Sequence, residues 1–341
     1  MTTAMTTAEI LAQFPKLSAL VVGDICLDRW CAYDPSASEP SRETGIPRLA
    51  VVRTEVTPGA GGTVANNLAA LGAGKVAVLG AIGQDGFAVE LSQALAARGI
   101  ASDLCVRTPA IQTFTYTKVI NARTGIEDQP RLDFINTQPL PSAVERQILD
   151  HLQMAVESFD VILIADQAET SQGGVITPAV RELLAELAPQ YPERIFLADS
   201  RARIHLFRNV IVKPNQQEAE SACREIFGHV DFAALRRHSH SPRMFVTHGA
   251  RGVLVVEESG DTWVPTRPAN NPVDICGAGD SFSAGASLAL RVTGSPAQAA
   301  RFGNLVASIT IMKKGTGTAS REEVLAAHAR DNHAPETNSG D

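Results

Sequence analysis

Asp274-Ile-Cys-Gly-Ala-Gly-Asp280, followed directly by Ser281-Phe-Ser-Ala-Gly-Ala-Ser-Leu-Ala-Leu-Arg-Val292, is the stretch from which the rest of the chain can be read. Gly277 and Gly279 allow a tight turn and a close approach of backbone to ligand, and the apolar spacing that follows predicts a helix over 278–292. The start of such a helix offers unpaired N–H groups and the positive end of its dipole, a cup suited to phosphate. Asp280 falls in the first turn, where it can take a proton from an attacking hydroxyl. The same residues also fit a plain helix capped by an acidic residue, with glycines for close packing.

Outward from this turn, short apolar runs at 19–22, 76–79, 161–164, 195–198, 210–212, 245–247 and 253–256 predict buried strands. Between them, three-to-four spacing predicts helices over 87–98, 143–157, 178–187, 216–227 and 296–313. Such alternation implies an α/β fold with a doubly wound, mainly parallel sheet and ligands at the strand carboxyl ends. The stretches 30–57 and 103–134 break the rhythm and are rich in Thr, Val, Ile, Tyr and Phe, so they predict a small β-rich lid; long surface loops are the alternative. One domain over 9–329 and a disordered polar tail over 330–341 complete the expected layout.

The 341 residues are 44% hydrophobic, enough for a large core, and carry a net charge of −7. An acidic chain with no basic face argues against nucleic acid or an anionic membrane as partner, so any phosphate must be held locally. Cysteines at 26, 31, 105, 223 and 276 form no C-x-x-C pair, which favours reduced thiols over disulfides or structural zinc. With no signal-like start and no membrane-length apolar run, a cytoplasmic location is expected. No P-loop, protein-kinase or H-E-x-x-H signature is present.

Asp274–Asp280 resembles the D-T-x-G-A-G-D signature of the ribokinase-like, or PfkB, carbohydrate kinases, and the resemblance runs from about Leu20 to about Val324. It implies Asp280 as base, Gly277, Ala278 and Gly279 as the anion hole, ATP with Mg²⁺ as donor, and a sugar hydroxyl as acceptor. Gly23-Asp-Ile-Cys-Leu-Asp28 places Asp28 where the family holds sugar hydroxyls; a solvated turn is the other reading of Asp24 and Asp28. Pro58–Gly72 resembles the family's glycine-rich sugar signature, which brings Gly59 and Ala60 to the acceptor and puts Thr63 where the family has Asn. Asp166 is placed with the acceptor by the same resemblance.

Lys213-Pro-Asn-Gln-Gln-Glu218 resembles N-x-x-E, which implies that Asn215 and Glu218 organise Mg²⁺ through water; a capping box gives the same spacing. Thr247, Gly249 and Gly252 match T-x-G-x-x-G beside the nucleotide, though a hairpin turn fits equally, and Asn304 stands where the family lines the adenine pocket. Asp274, Cys276 and Gly315 fall near segments that bind a monovalent cation such as K⁺ in relatives. Gly83–Phe87 is similar to a family turn and reads as structural. A homodimer through the lid is implied as well.

Several segments, including 23–30, 41–47 and 129–134, look like the kinase domain of heptose 7-phosphate kinase/adenylyltransferase proteins. That branch's lysine-bearing S-D-Y-G-K-G reads Ala165-Asp-Gln-Ala-Glu-Thr170, so a cation has become Glu169, and repulsion predicts a neutral sugar or polyol as acceptor. Arg131 and Arg201 remain as sources of positive charge. A kinase of the same fold for a nucleoside or other alcohol, and a non-catalytic sugar or nucleotide sensor, stay open. Three Tyr and two Trp disfavour an aromatic acceptor pocket, and an intact Asp280 disfavours the sensor.

Overall fold

The structure, a computed structural model, describes residues 4–333 apart from 171, 267, 268 and 270. The chain opens with α1 (Thr7–Gln13), β1 (Ser18–Gly23), β2 (Ile25–Tyr33), β3 (Val51–Ala60) and α2 (Gly61–Ala70). There follow β4 (Lys75–Leu79), β5 (Ala81–Gly83), α3 (Gly86–Ala96), β6 (Ile100–Ala101), β7 (Val106–Thr108), β8 (Thr115–Asn121) and β9 (Leu132–Phe134). The middle comprises α4 (Ser142–Ala155), β10 (Val161–Asp166), α5 (Pro178–Gln190), β11 (Ile195–Ser200), β12 (Ile211–Val212), α6 (Gln216–Phe227) and α7 (Phe232–His238). The last part holds β13 (Arg243–Thr247), β14 (Gly252–Glu257), β15 (Gly260–Pro265), α8 (Ala278–Thr293), α9 (Pro296–Thr310) and α10 (Arg321–His333).

Local chemistry sets the helix ends. Thr6 and Asn215 each form a capping box, Asp85, Thr177, Asp231 and Ser295 accept from N3 amides, and Gly228 and Gly294 close α6 and α8 in the left-handed conformation. The Asp85 carboxylate also takes the N–H and hydroxyl of Thr113, the structural role read for that turn.

Among the described residues, nine strands form one sheet in the order β15-β14-β13-β12-β11-β10-β1-β4-β6. Pairing is parallel from β13 through β6, and only the β13-β14-β15 edge is antiparallel. Both faces are covered, which is why its strands read as continuous apolar runs. Ala19 and Val21 of β1 face one core with α2, α8 and α9, while Leu20 and Val22 face the other with α4, α5 and α6. Each fully buried Leu or Ile contributes about 1.5–3 kcal/mol, so the central strands form a stiff platform for whatever their ends carry.

A second sheet, in the order β3-β2-β8-β9, stands apart from this platform and is the expected lid. Its boundaries differ from the expectation. β2 begins at Ile25, separated from β1 by Asp24 alone, and β7 pairs with β5 rather than with the lid, so only β8 and β9 come from the second stretch. Hydropathy cannot show where a strand leaves one sheet for another, because both halves are equally β-prone. α10 also extends to His333, so the expected tail is helical over 330–333 and otherwise lies outside the described residues.

Candidate active site

The turn at 277 is built as the glycines demanded. Gly277 has φ +77°, its carbonyl accepts from Ser281 N–H at 2.9 Å, and α8 starts immediately after it. A Cβ at 277 would meet the methyls of Thr63 and Thr316 at 3.3 and 3.4 Å, so α2 supports the turn from behind. Asp280 is half-buried in the first turn of α8. Burial, helped by the charge of Asp199, pushes its pKa to about 7, against the pull of Lys213 and Arg201. A carboxylate so poised is a proton acceptor of useful strength near neutrality.

Lys213, almost fully buried at the end of β12, was quoted in the sequence but given no role there. Its Nζ lies 3.0 Å from Asp199 Oδ2, and 3.5 Å from where a Cβ on Gly279 would stand. Burial works against its charge, but Asp199, Glu218 and Asp280 outweigh that and raise its pKa. Ser283 completes the cluster by donating to Gly279 O at 3.0 Å. A fixed ammonium therefore stands beside the bare turn where transferred charge would develop. A lysine and an aspartate at the ends of adjacent parallel strands were the available signal.

On the acceptor side, Asp28 is half-buried on β2 and packs directly on the backbone of Gly59 in β3. Burial pushes its pKa to about 6, while Lys118, Arg131 and Arg201 pull it back. Ala60 follows with φ +50°, a strained conformation for a residue with a Cβ, at the entry to α2. Two residues expected here point elsewhere. Thr63 is buried, and its hydroxyl donates to Pro58 O at 3.4 Å while its methyl meets the 277 turn. Asp166 is fully buried in an ion pair with Arg203, at 2.5 and 3.0 Å, and accepts from Ser200 at 2.6 Å. Neither presents a polar atom to an acceptor, because residue counting along a helix or strand does not give side-chain direction.

Glu169 pairs with Arg201 at 2.5 Å. Its charge is thereby compensated, and bare repulsion by Glu169, as expected from sequence, is not what the site presents. Lys118 pairs with Glu127 at 3.8 Å and Arg131 with Asp133 at 2.6 Å, so each cation that acts on Asp28 already has a carboxylate.

The residues expected on the nucleotide side fall along two clefts and the turn into β14. Asn215 bridges to Thr247 between β12 and β13, and Gly249 and Gly252 form the turn into β14. Glu218 is half-buried, with one oxygen accepting from Asn215 N–H at 2.7 Å, and burial raises its pKa. The capping box of N-x-x-E is formed, and the Glu218 carboxylate lines a cleft of about 520 Å³ with Arg201 and Asn215. Asn304 donates to Val264 and Pro265 carbonyls at 3.3 and 3.5 Å and lines a larger cleft of about 1240 Å³ with Thr266, Ser308 and Met312. That cleft reaches the segment whose Ile311 carbonyl accepts from Val273 and Asp274, at the approach to the 277 turn.

No group of three or more His, Cys, Asp or Glu side chains able to hold a metal occurs among the described residues. The Asp274 carboxylate accepts from Cys276 N–H at 2.9 Å and Gly315 N–H at 3.1 Å, which ties together the two loops expected to bind a monovalent cation. The five cysteines are unpaired and only Cys276 is exposed, as the reduced-thiol reading expects. No described helix is long and apolar enough to cross a membrane.

Comparison with known proteins agrees with this geometry. The family described as pfkB family carbohydrate kinase matches residues 18–323. The Bifunctional protein HldE of Trichlorobacter lovleyi is 29% identical over 320 residues, covering 91% of this chain and 62% of that protein. The corresponding protein of Geobacter metallireducens is 29% identical over 334 residues, covering 93% and 64%. The chain thus spans less than two thirds of these relatives' length. Ribokinase from Thermotoga maritima superposes with a TM-score of 0.65 at 21% identity, over 91% of this chain and 99% of that one. Phosphofructokinase-2 from Escherichia coli in complex with potassium gives 0.65 at 19%, over 92% and 99%. These likenesses establish the ribokinase-like fold.

Proposed function

We propose that this chain, which belongs to the pfkB family of carbohydrate kinases and is thereby a phosphotransferase with an alcohol group as acceptor, moves the γ-phosphoryl group of ATP to a hydroxyl of a neutral sugar, with Asp280 as base. The observation that carries this reading is the half-buried Asp280, its pKa pushed to about 7, in the first turn of a helix entered through the glycine turn at 277–279.

In the proposed step the acceptor hydroxyl, held by Asp28, attacks the γ-phosphorus and its proton passes to an Asp280 oxygen. The bond to the bridging oxygen breaks, and ADP leaves with the electron pair. The amides of Gly277 and Gly279 and the Lys213 ammonium hold the charge that builds on the migrating group, while the Ala278 N–H is already given to the Ile275 carbonyl at 3.2 Å. Family membership implies ATP and a divalent ion; bound Mg²⁺ would shield the phosphate charge, with Asn215 and Glu218 orienting its water. Thr247, Gly249, Gly252 and Asn304 would line the nucleotide, and the loops joined by Asp274 would take K⁺.

Neutrality of the acceptor is supported by the paired state of Lys118, Arg131 and Arg201: a phosphorylated sugar would have to displace Glu127, Asp133 or Glu169. A homodimer through the lid is supported by exposed apolar side chains on that sheet, Val52 at 61% and Leu132 at 54%. The test is ATP consumption over a panel of sugars, polyols and sugar phosphates, run beside Asp280→Asn. A preference for a sugar phosphate defeats the acceptor assignment, and turnover by Asp280→Asn defeats the base.

A further inference from the structure

Asp24 is the single residue between β1 and β2, and its carboxylate is buried, with no cationic or hydroxyl hydrogen-bond partner among the described residues. It accepts instead from three backbone N–H groups: Oδ2 from Gln167 at 2.8 Å and Ala168 at 2.7 Å, and Oδ1 from Val175 at 2.8 Å. These donors lie at the two ends of one loop, so a single side chain gathers it. Gly174 lets the loop fold tightly on itself beside the carboxylate, since a Cβ there would stand 2.9 Å from Ala168 Cβ. Arg203 holds the same loop through the carbonyls of Ala168 and Thr170, at 3.0 and 3.2 Å. Burial raises the pKa of Asp24 to about 6, a cost against the charged form that the three N–H groups partly offset.

What the loop carries gives the clamp its consequence. Gln167 Oε1 accepts from Arg201 Nε at 2.9 Å, and Glu169 Oε1 from the Arg201 guanidinium at 2.5 Å. Arg201 lines the cleft with Asn215 and Glu218, and its charge bears on Asp28, Glu218 and Asp280 together. Its charge is therefore shared by the acceptor carboxylate and the phosphoryl machinery.

We propose that Asp24 is a positioning residue for phosphoryl transfer: by holding both ends of the 167–175 loop it fixes Gln167 and Glu169, and through them the guanidinium of Arg201. The proposal rests on the functional reading above. An asparagine cannot replace the carboxylate, because its NH₂ group would face at least one of the three N–H donors. The misplacement of a positioned cation by about an ångström costs on the order of tenfold or more in rate.

The experiment compares wild type, Asp24→Asn, Arg201→Gln and the double variant by steady-state kinetics and amide hydrogen exchange. Asp24→Asn is expected to speed exchange at 167, 168 and 175 and to lower kcat/KM for the acceptor about tenfold, with the KM for ATP changed less than about threefold. Arg201→Gln is expected to give the same split, and the double variant to be no worse than Arg201→Gln alone. Faster exchange with unchanged acceptor kinetics, or additive losses, overturns the proposal. Should Asp24→Asn not fold, Gln167→Ala removes one hold on Arg201 and must reproduce the acceptor defect. Exchange at the three amides reads the clamp whatever the acceptor proves to be, so failure of the functional reading shows separately, as a wild type that consumes no ATP with any alcohol.

Discussion

The carboxylate of Asp28 occupies the space into which a side chain at Gly59 would project: a Cβ built there stands 2.6 Å from Asp28 Cγ. β2 and β3 are paired so that the acceptor carboxylate rests on bare backbone. Gly59→Ala must push Asp28 aside. Its acceptor KM is expected to rise by about tenfold or more while ATP affinity holds, as read by initial rates and by titration with ATP. An unchanged KM would show that Asp28 does not touch the acceptor.

Asp280 sets a pH dependence in two observables of opposite sign. As base it must be ionised, so kcat/KM should climb through pH about 7. Because its folded pKa lies above the ordinary carboxylate value, its ionisation opposes folding, and stability should decline as pH rises from about 4 towards 7. Asp280→Asn is expected to lose about 10²- to 10⁴-fold in kcat yet gain about 2 kcal/mol at pH 8, a gain absent near pH 4. Denaturant melts at the two pH values check this.

Lys213→Met leaves Asp199 without its ion-pair partner and removes the cation nearest the 279 turn. A loss of about 3 kcal/mol in stability is expected, with a fall in kcat and a shift of the rising pH limb to higher pH, since Lys213 draws the Asp280 pKa down. A limb that stays in place while stability falls would confine Lys213 to a structural part.

Glu169→Gln frees Arg201 from its carboxylate on an exposed surface, with little effect on stability. The ratio of kcat/KM for a sugar phosphate to that for the neutral sugar is expected to rise several-fold, about 1 kcal/mol. A ratio that does not move would show that the acceptor lies away from this pair.

The central strands and most of the helices were legible from apolar periodicity because a sheet covered on both faces leaves continuous runs in the sequence. The 277–280 turn was legible because its glycines stand directly before a helix and match a family signature, whereas spacing alone fitted a plain capped helix equally well. What could not be read is side-chain direction and partnership across the fold. Thr63 sits at the counted position but points into the α2–α8 packing, and Asp166 is matched by an arginine beyond the end of β11. Asp24 and Asp28 share one motif, yet one is fully buried under the amides of a loop and the other is only half-buried on β2. Their separation follows from the switch of sheet between them, which no local pattern encodes.

That switch also limits how the enzyme can flex. β1 passes into β2 through one residue, so platform and lid are a single ribbon at this point, and the ribbon is riveted there by amides from a third segment. An opening of the cleft would move the edge strands β3 and β9 about a fixed spine, like a page turning in its binding. Asp28, beside that spine, would stay at its station while the opposite margin travels.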